Sequence, residues 1–215
     1  KNSSVEKFIA LGTVCSYPKF ASIPFSENEI WNGFPDETNA PYGISKKMML
    51  VQSDAYRRQY GFNSITVIPT NLYGPEDDFN IETSNVIPGI ILKISNAVKT
   101  DSNEVVLWGD GSPTRDFLFV DDAADGIILA AQKYEDGTPI NLGAQKETSI
   151  KELAMLVSEI MRFSGDIIWD EAKANGQPRR CVSNYKAERE IGFKPKISLK
   201  EGLTKVISWF ESNYD

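Results

Sequence analysis

Tyr42 and Lys46 stand four residues apart in the segment Tyr-Gly-Ile-Ser-Lys, and residues four apart share one face of a helix. On that face the Lys46 ammonium can sit beside the Tyr42 phenol and stabilise its anion, which equips the tyrosine to exchange a proton with a carbonyl or hydroxyl. Eight tyrosines in the chain make about half a chance occurrence of this spacing, so the pair needs a context. Thr13 supplies one. It follows the apolar run KFIALG (7–12), where its hydroxyl can bond the same carbonyl oxygen as Tyr42. The segment PTNLYGP (69–75) supplies another: it leaves a second apolar run at its carboxyl end, where ligands of open α/β sheets bind.

Composition narrows the chemistry. The chain has no histidine, which excludes a Ser-His-Asp triad, a Cys-His dyad and a His-containing zinc site and leaves proton transfer to Tyr, Lys, Cys or carboxylates. Its two cysteines, Cys15 and Cys181, make neither a metal knuckle nor a disulfide framework; no metal site is expected, and a reducing cytoplasm is. A net charge of −7 argues against nucleic acid as a partner, so any bound phosphate must be met by a local group of cations. No apolar run approaches the roughly 20 residues of a membrane span, and the opening KNSSVEKFIALG lacks a signal-peptide core.

The elements that must position these residues follow from hydrophobic period. KFIALG reads as a buried strand, 16–41 as a Pro- and Gly-rich loop, and Tyr42 to Tyr60 as a helix on the period of Ile44, Met48, Val51 and Ala55, stopped by Gly61. SITVIP (64–69) is a continuous β-branched run, the pattern of a parallel strand covered on both faces. Strand, helix and strand in that order make a right-handed parallel crossover. Beyond it the pattern predicts a helix over Val86 to Ala97, a strand at VVLWG, a turn at GDGSPTR, and a strand running into a helix over Phe117 to Gln132, with Asp121 and Asp122 as N-cap and first-turn acids. A strand at PINLG, a helix from Ser149 to Phe163 with a Ser149/Glu152 capping box, a strand at GDIIWD and a closing helix capped by Ser198 and Glu201 complete it.

Thr-Val-Cys-Ser-Tyr-Pro (13–18), Pro-Tyr-Gly-Ile-Ser-Lys (41–46), Arg-Gln-Tyr-Gly (58–61), Pro-Thr-Asn-Leu-Tyr-Gly-Pro (69–75), Asn-Val-Ile-Pro (85–88), Trp-Gly-Asp-Gly-Ser-Pro-Thr-Arg-Asp-Phe-Leu (108–118) and Val-Asp-Asp (120–122) together resemble the extended short-chain dehydrogenase/reductases of the NAD-dependent epimerase/dehydratase group. Within that group they are most similar to the enzymes that epimerise and reduce nucleotide-linked 4-keto-6-deoxyhexoses. The resemblance implies an NADP(H)-dependent enzyme. It makes Tyr42 the catalytic acid at the C4 oxygen, Lys46 its partner and the holder of the nicotinamide ribose, Thr13 the family's Ser/Thr, and Cys15 the residue that moves protons beside the keto group. Leu11, Gly12, Thr13 and Val14, with Pro69, Thr70, Asn71 and Leu72, match the segments lining the nicotinamide pocket. Lys93, Trp108, Arg115, Asn175 and Arg180 match positions that hold the nucleotide-diphosphate sugar. By type alone, Trp108 is equally a core residue, the Arg179-Arg180 pair a solvated surface and Cys15 a small buried apolar group.

Two positions depart from the family pattern. Asn85 stands where the family has a second epimerisation residue, a histidine. The glycine-rich turn that binds the dinucleotide pyrophosphate is absent, and its usual place is upstream of residue 1. The implied fold is α/β: a partial Rossmann domain, a doubly wound parallel sheet without its N-terminal strands, at 1–74 and 116–145, with a smaller α/β substrate domain at 75–115 and 146–215. A homodimer paired through the Tyr42 helix is expected, and the chain reads as a fragment of a longer protein. The alternatives are a nucleotide-sugar 4-epimerase, a 4-keto reductase without 3,5-epimerisation, or a non-catalytic truncated homologue.

Overall fold

The structure is a computed structural model that describes residues 4–173 and 175–214. Along the chain run β1 (Phe8–Leu11), α1 (Ala40–Tyr60), β2 (Ser64–Pro69), β3 (Asn71–Tyr73), α2 (Val86–Lys99), β4 (Glu104–Trp108), β5 (Thr114–Phe119), α3 (Val120–Lys133), β6 (Ile140–Leu142), β7 (Glu147–Ser149), α4 (Ile150–Ile160), β8 (Asp166–Asp170), β9 (Arg179–Arg180), α5 (Tyr185–Ile191) and α6 (Leu199–Tyr214). They form two compact units. The first takes the residues up to Leu72, Asp116–Lys146 and Arg180–Lys196; the second takes Tyr73–Arg115, Glu147–Arg179 and the chain from Ile197 on.

In the first unit β1, β2 and β6 form a parallel sheet in that order, with Ile9 opposite Ile65 and Val67 opposite Ile140. All six residues of the central strand β2 are buried. Its alternation sends Ile65 and Val67 into a cluster with Leu118, Leu142 and Phe193, and Ile68 into another with Val14, Tyr17, Phe25 and Leu50. Burying each such aliphatic side chain is worth roughly 1.5–3 kcal/mol. Helix α1 returns the chain between the paired parallel strands β1 and β2, opens with proline in its first turn, where the missing N–H costs nothing, and ends on Gly61 at φ 62°.

In the second unit β4 and β8 pair in parallel, Val106 opposite Ile168 and Trp108 opposite Asp170. Helix α2 packs on β4, and α4 packs on both α2 and α6. Ile87, Ile90, Ile91 and Ile94 of α2, Leu153 and Val157 of α4 and Leu203, Val206 and Phe210 of α6 are buried. The capping box forms as the Ser149 and Glu152 spacing predicts, with Glu152 N–H donated to Ser149 Oγ at 3.1 Å and Ser149 N–H to the Glu152 carboxylate at 2.8 Å.

Several expectations need correction. The stretch 16–41 is not plain loop: 3-10 turns occupy Val14–Ser16 and Glu27–Trp31. The turn after β4 ends at Pro113, because Thr114 N–H donates to the Pro178 carbonyl and Thr114 and Arg115 join β5. Helix α3 starts at Val120 with Phe119 as its N-cap, so neither aspartate is the N-cap, although Asp121 and Asp122 are first-turn acids as expected; the Asp122 carboxylate accepts from Lys196 N–H at 2.9 Å. The strands β7 and β9 and the helix α5 were not expected. Because α5 packs on α3 and β6, with Ala187 and Ile191 in the Leu118 and Leu142 cluster, residues 180–196 fall in the first unit rather than in the second.

Candidate functional site

Pro41 and the first turn of α1 set Tyr42 as the third helical residue, with about half of it exposed (52%). One turn on, the Lys46 ammonium lies 5.9 Å from the centre of the Tyr42 ring and donates to the carbonyl of Leu11 at 3.1 Å. The same cation therefore touches the last residue of β1 and faces the tyrosine. The four-residue spacing places both side chains on one side of the helix.

The chain segment after β1 folds onto that first turn. Thr13, buried, is the N-cap of the 3-10 turn, and its Oγ1 accepts from Cys15 N–H at 3.3 Å. Ser16 Oγ donates to the Gly43 carbonyl at 2.9 Å. A Cβ on Gly43 would stand 2.4 Å from the Cys15 carbonyl oxygen, so only glycine lets the helix come this close. Tyr42, Lys46, Leu11, Thr13 and Cys15 are thus brought together by two backbone segments in contact. Gly12 N–H bonds Val67 O at 2.8 Å, and Val14 is buried in the core. The half-buried Cys15 receives a further partner, since Arg180 Nη1 donates to its Sγ at 3.4 Å.

The carboxyl end of β2 lies next in the sheet. Pro69 closes the strand, Thr70 N–H bonds Leu142 O at 2.8 Å, and Thr70 Oγ1 and Asn71 Nδ2 donate to the Asp116 carbonyl at 3.1 and 2.9 Å. Leu72 is partly exposed. Sequence reasoning missed Asp116, a fully buried acid whose only signal is a charge inside the apolar run RDFLF. Burial pushes its carboxyl up to about 6, against hydrogen bonds from the N–H groups of Ala144, Val182, Gln145 and Lys146.

In the second unit Lys93 Nζ donates to Val106 O at 2.8 Å and lies 5.4 Å from the centre of the Trp108 ring, with the Lys173 ammonium at 5.7 Å. Burial lowers the pKa of Lys93, partly offset by Asp170. Trp108 is 68% exposed and so is no core residue. Arg115 Nη1 donates to Thr114 O and Gln177 O, both at 2.7 Å, and Asn175 Oδ1 accepts from Asp110 N–H at 3.2 Å. Asn85 is the N-cap residue of α2 with an extended backbone, and its side chain makes no cap hydrogen bond. The Arg179-Arg180 pair divides: Arg179 is exposed and pairs with Glu147, whereas Arg180 is buried at 7% exposure. Among the described residues no group of three or more His, Cys, Asp or Glu could hold a metal ion, and no helix is long and apolar enough to cross a membrane.

Comparison with known proteins follows the same lines. A model of the NAD dependent epimerase/dehydratase family matches residues 1–143. The probable GDP-L-fucose synthase 1 of Oryza sativa subsp. japonica is 43% identical over 213 residues, covering 99% of this chain and 65% of that protein. The GDP-L-fucose synthase of Escherichia coli (strain K12) is 36% identical over 222 residues, covering 99% of this chain and 69% of that protein. The crystal structure of a GDP-L-fucose synthetase from Naegleria fowleri bound to NADP matches with a TM-score of 0.90 at 30% identity, over 98% of this chain and 67% of that one. The chain spans 65% and 63% of the length of two of its plant relatives.

Proposed function

Because this chain belongs to the NAD dependent epimerase/dehydratase family, we propose that it serves the NADPH-dependent reduction at C4 of a GDP-linked 4-keto-6-deoxyhexose, with epimerisation at the carbons beside the keto group. The observation that carries this reading is the Lys46 ammonium, which faces the Tyr42 ring while it is tied to the end of β1. The GDP-L-fucose synthase relatives supply the nucleotide and the sugar class.

The residues at the nicotinamide end suit NADP(H). An ammonium has three donors, and Lys46 uses one on Leu11 O, leaving donors for ribose hydroxyls. In this reading Leu11, Gly12, Thr13 and Val14, at and after the end of β1, and Pro69, Thr70, Asn71 and Leu72, at and after the end of β2, serve the nicotinamide end, which the parallel pairing of β1 with β2 supports. When bound, the dihydronicotinamide supplies hydride. Tyr42 gives its phenolic proton to the C4 oxygen as that oxygen gains charge, Lys46 stabilises the phenolate left behind, and the Thr13 hydroxyl holds the same oxygen. Cys15 serves the epimerisation: as its thiolate takes a proton from the carbon next to the keto group, an S–H bond forms, the C–H bond breaks, and the electron pair moves onto the carbonyl oxygen as an enolate. Lys93, Arg115 and Arg180 supply cations for the diphosphate, Trp108 an aromatic face, and Asn175 hydrogen bonds.

In this reading the first unit carries the nicotinamide end together with Arg180, and the second carries Lys93, Trp108, Arg115 and Asn175. The protein works as a homodimer paired through α1, whose Met48, Val51 and Tyr56 are exposed. A reducing cytoplasm suits Cys15, which needs a free thiol.

Asn85 favours a second reading, a C4 reductase without epimerisation, because an amide can donate a hydrogen bond but cannot shuttle a proton. The full-length protein, given the 4-keto sugar in deuterated water without NADPH, separates the two. Deuterium entering C3 and C5, and failing to enter in Cys15→Ser, is the result expected; substrate without label after complete mixing excludes the epimerase and leaves the reductase.

A further inference from the structure

Arg179 and Arg180 make up β9, and successive residues of a strand point to opposite sides. Arg179 accordingly turns outward to Glu147, while Arg180 is buried and reaches Cys15. A guanidinium keeps its charge under all ordinary conditions, and placing it away from water is costly unless an acceptor or an anion meets it. Here one of its N–H groups meets sulfur at 3.4 Å. A neutral thiol is a weak acceptor, and a thiolate is a charged one.

We propose that Arg180 is a positioning residue for Cys15: its buried guanidinium holds the sulfur in place and favours the thiolate that takes the proton beside the keto group. The rest of Cys15 is fixed from the other side, since its N–H is bonded to Thr13 Oγ1 and its carbonyl lies against the glycine of the Tyr42 turn. With the backbone so fixed, the guanidinium decides where the sulfur points and which form it takes. The residue that the resemblance assigns to the diphosphate thus acts on the reacting side chain as well.

This inference rests on the proposed role of Cys15, and the test reads the two apart. In the full-length protein near neutral pH, iodoacetamide labelling is followed separately at Cys15 and at the buried Cys181 by peptide mass spectrometry. Thiolate is the reacting form, so Arg180→Gln is expected to slow Cys15 labelling about tenfold, with Cys181 unchanged, and Arg180→Lys to restore most of the rate. Labelling of Cys15 in Arg180→Gln as fast as in the parent overturns the proposal, and so does a loss that Arg180→Lys fails to restore. Should Arg180→Gln not fold, the parent still decides: Cys15 in the folded protein labels faster than the same cysteine in the peptide FIALGTVCSYPK, and an equal or slower rate is the contrary result. If the labelling contrast appears but Cys15→Ser leaves deuterium entry at C3 and C5 intact, the Arg180 contact stands and the base assignment of Cys15 falls.

Discussion

The fold controls the titration of the buried Asp116. Burial raises its carboxyl to about 6, so the folded chain binds a proton that the unfolded chain has already released. The stability it contributes is therefore fully present below about pH 4 and is lost as pH rises through about 6, an effect of roughly 3 kcal/mol at most. The carboxyl carbon resonance of Asp116 should titrate with a midpoint near 6, and a midpoint below 4 would refute the burial account. At Lys46, replacement by methionine removes both the bond to Leu11 O and the charge beside Tyr42. A turnover loss of about 100-fold or more, with weaker NADPH binding, is expected in steady-state kinetics; an unchanged turnover number would show the ammonium to be dispensable. At this scale the spacing of Tyr42 and Lys46 was legible because a helix fixes it locally. The exposure of Trp108 and the parting of Arg179 from Arg180 were not, because each depends on how a strand faces its neighbours.

The element that matters most is α1, and its contact with the segment after β1 runs through Gly43. In an isolated helix Gly→Ala gains about 1 kcal/mol. Here the added Cβ would meet the backbone of Cys15 at 2.4 Å, and backbone cannot swing aside as a side chain can. Gly43→Ala should destabilise by roughly 1–3 kcal/mol in urea unfolding, whereas a more stable variant would mean that helix and loop are not packed as described. Ser149→Ala, which breaks the capping box of α4, should cost about 1 kcal/mol in the same assay; no loss would show the cap to be idle. The crossover β1-α1-β2 was readable from the apolar runs of its two strands and from Pro41 and Gly61 at the ends of α1, but the helical period of Ile44, Met48, Val51 and Ala55 marks the exposed face of α1, whereas Gly43, Lys47, Leu50 and Ser53 are buried. By contrast α5 is seven residues long and buries only Ala187 and Ile191, too little to show a helical period, and β7 and β9 have three and two residues.

At the scale of the whole molecule, the first unit carries an open sheet edge. Among the described residues β1 pairs with β2 alone, and Phe8 and Leu11 are 45% and 40% exposed. Unpaired N–H and C=O groups beside exposed apolar side chains are a template for pairing with another chain. The 215-residue chain by itself should self-associate, its sedimentation coefficient rising with concentration; a concentration-independent monomer would show the edge to be harmless.

The two-unit division was legible only in outline, because the motif order fixes where the chain leaves the sheet but not that residues 180–196 return to it. The central claim is that Tyr42 protonates the C4 oxygen, and single-turnover reduction of the GDP-linked 4-keto sugar by the full-length Tyr42→Phe variant tests it most directly. The expected result is a hydride-transfer rate lower by about 10²–10⁴, with sugar affinity nearly unchanged. A rate equal to that of the parent would contradict it.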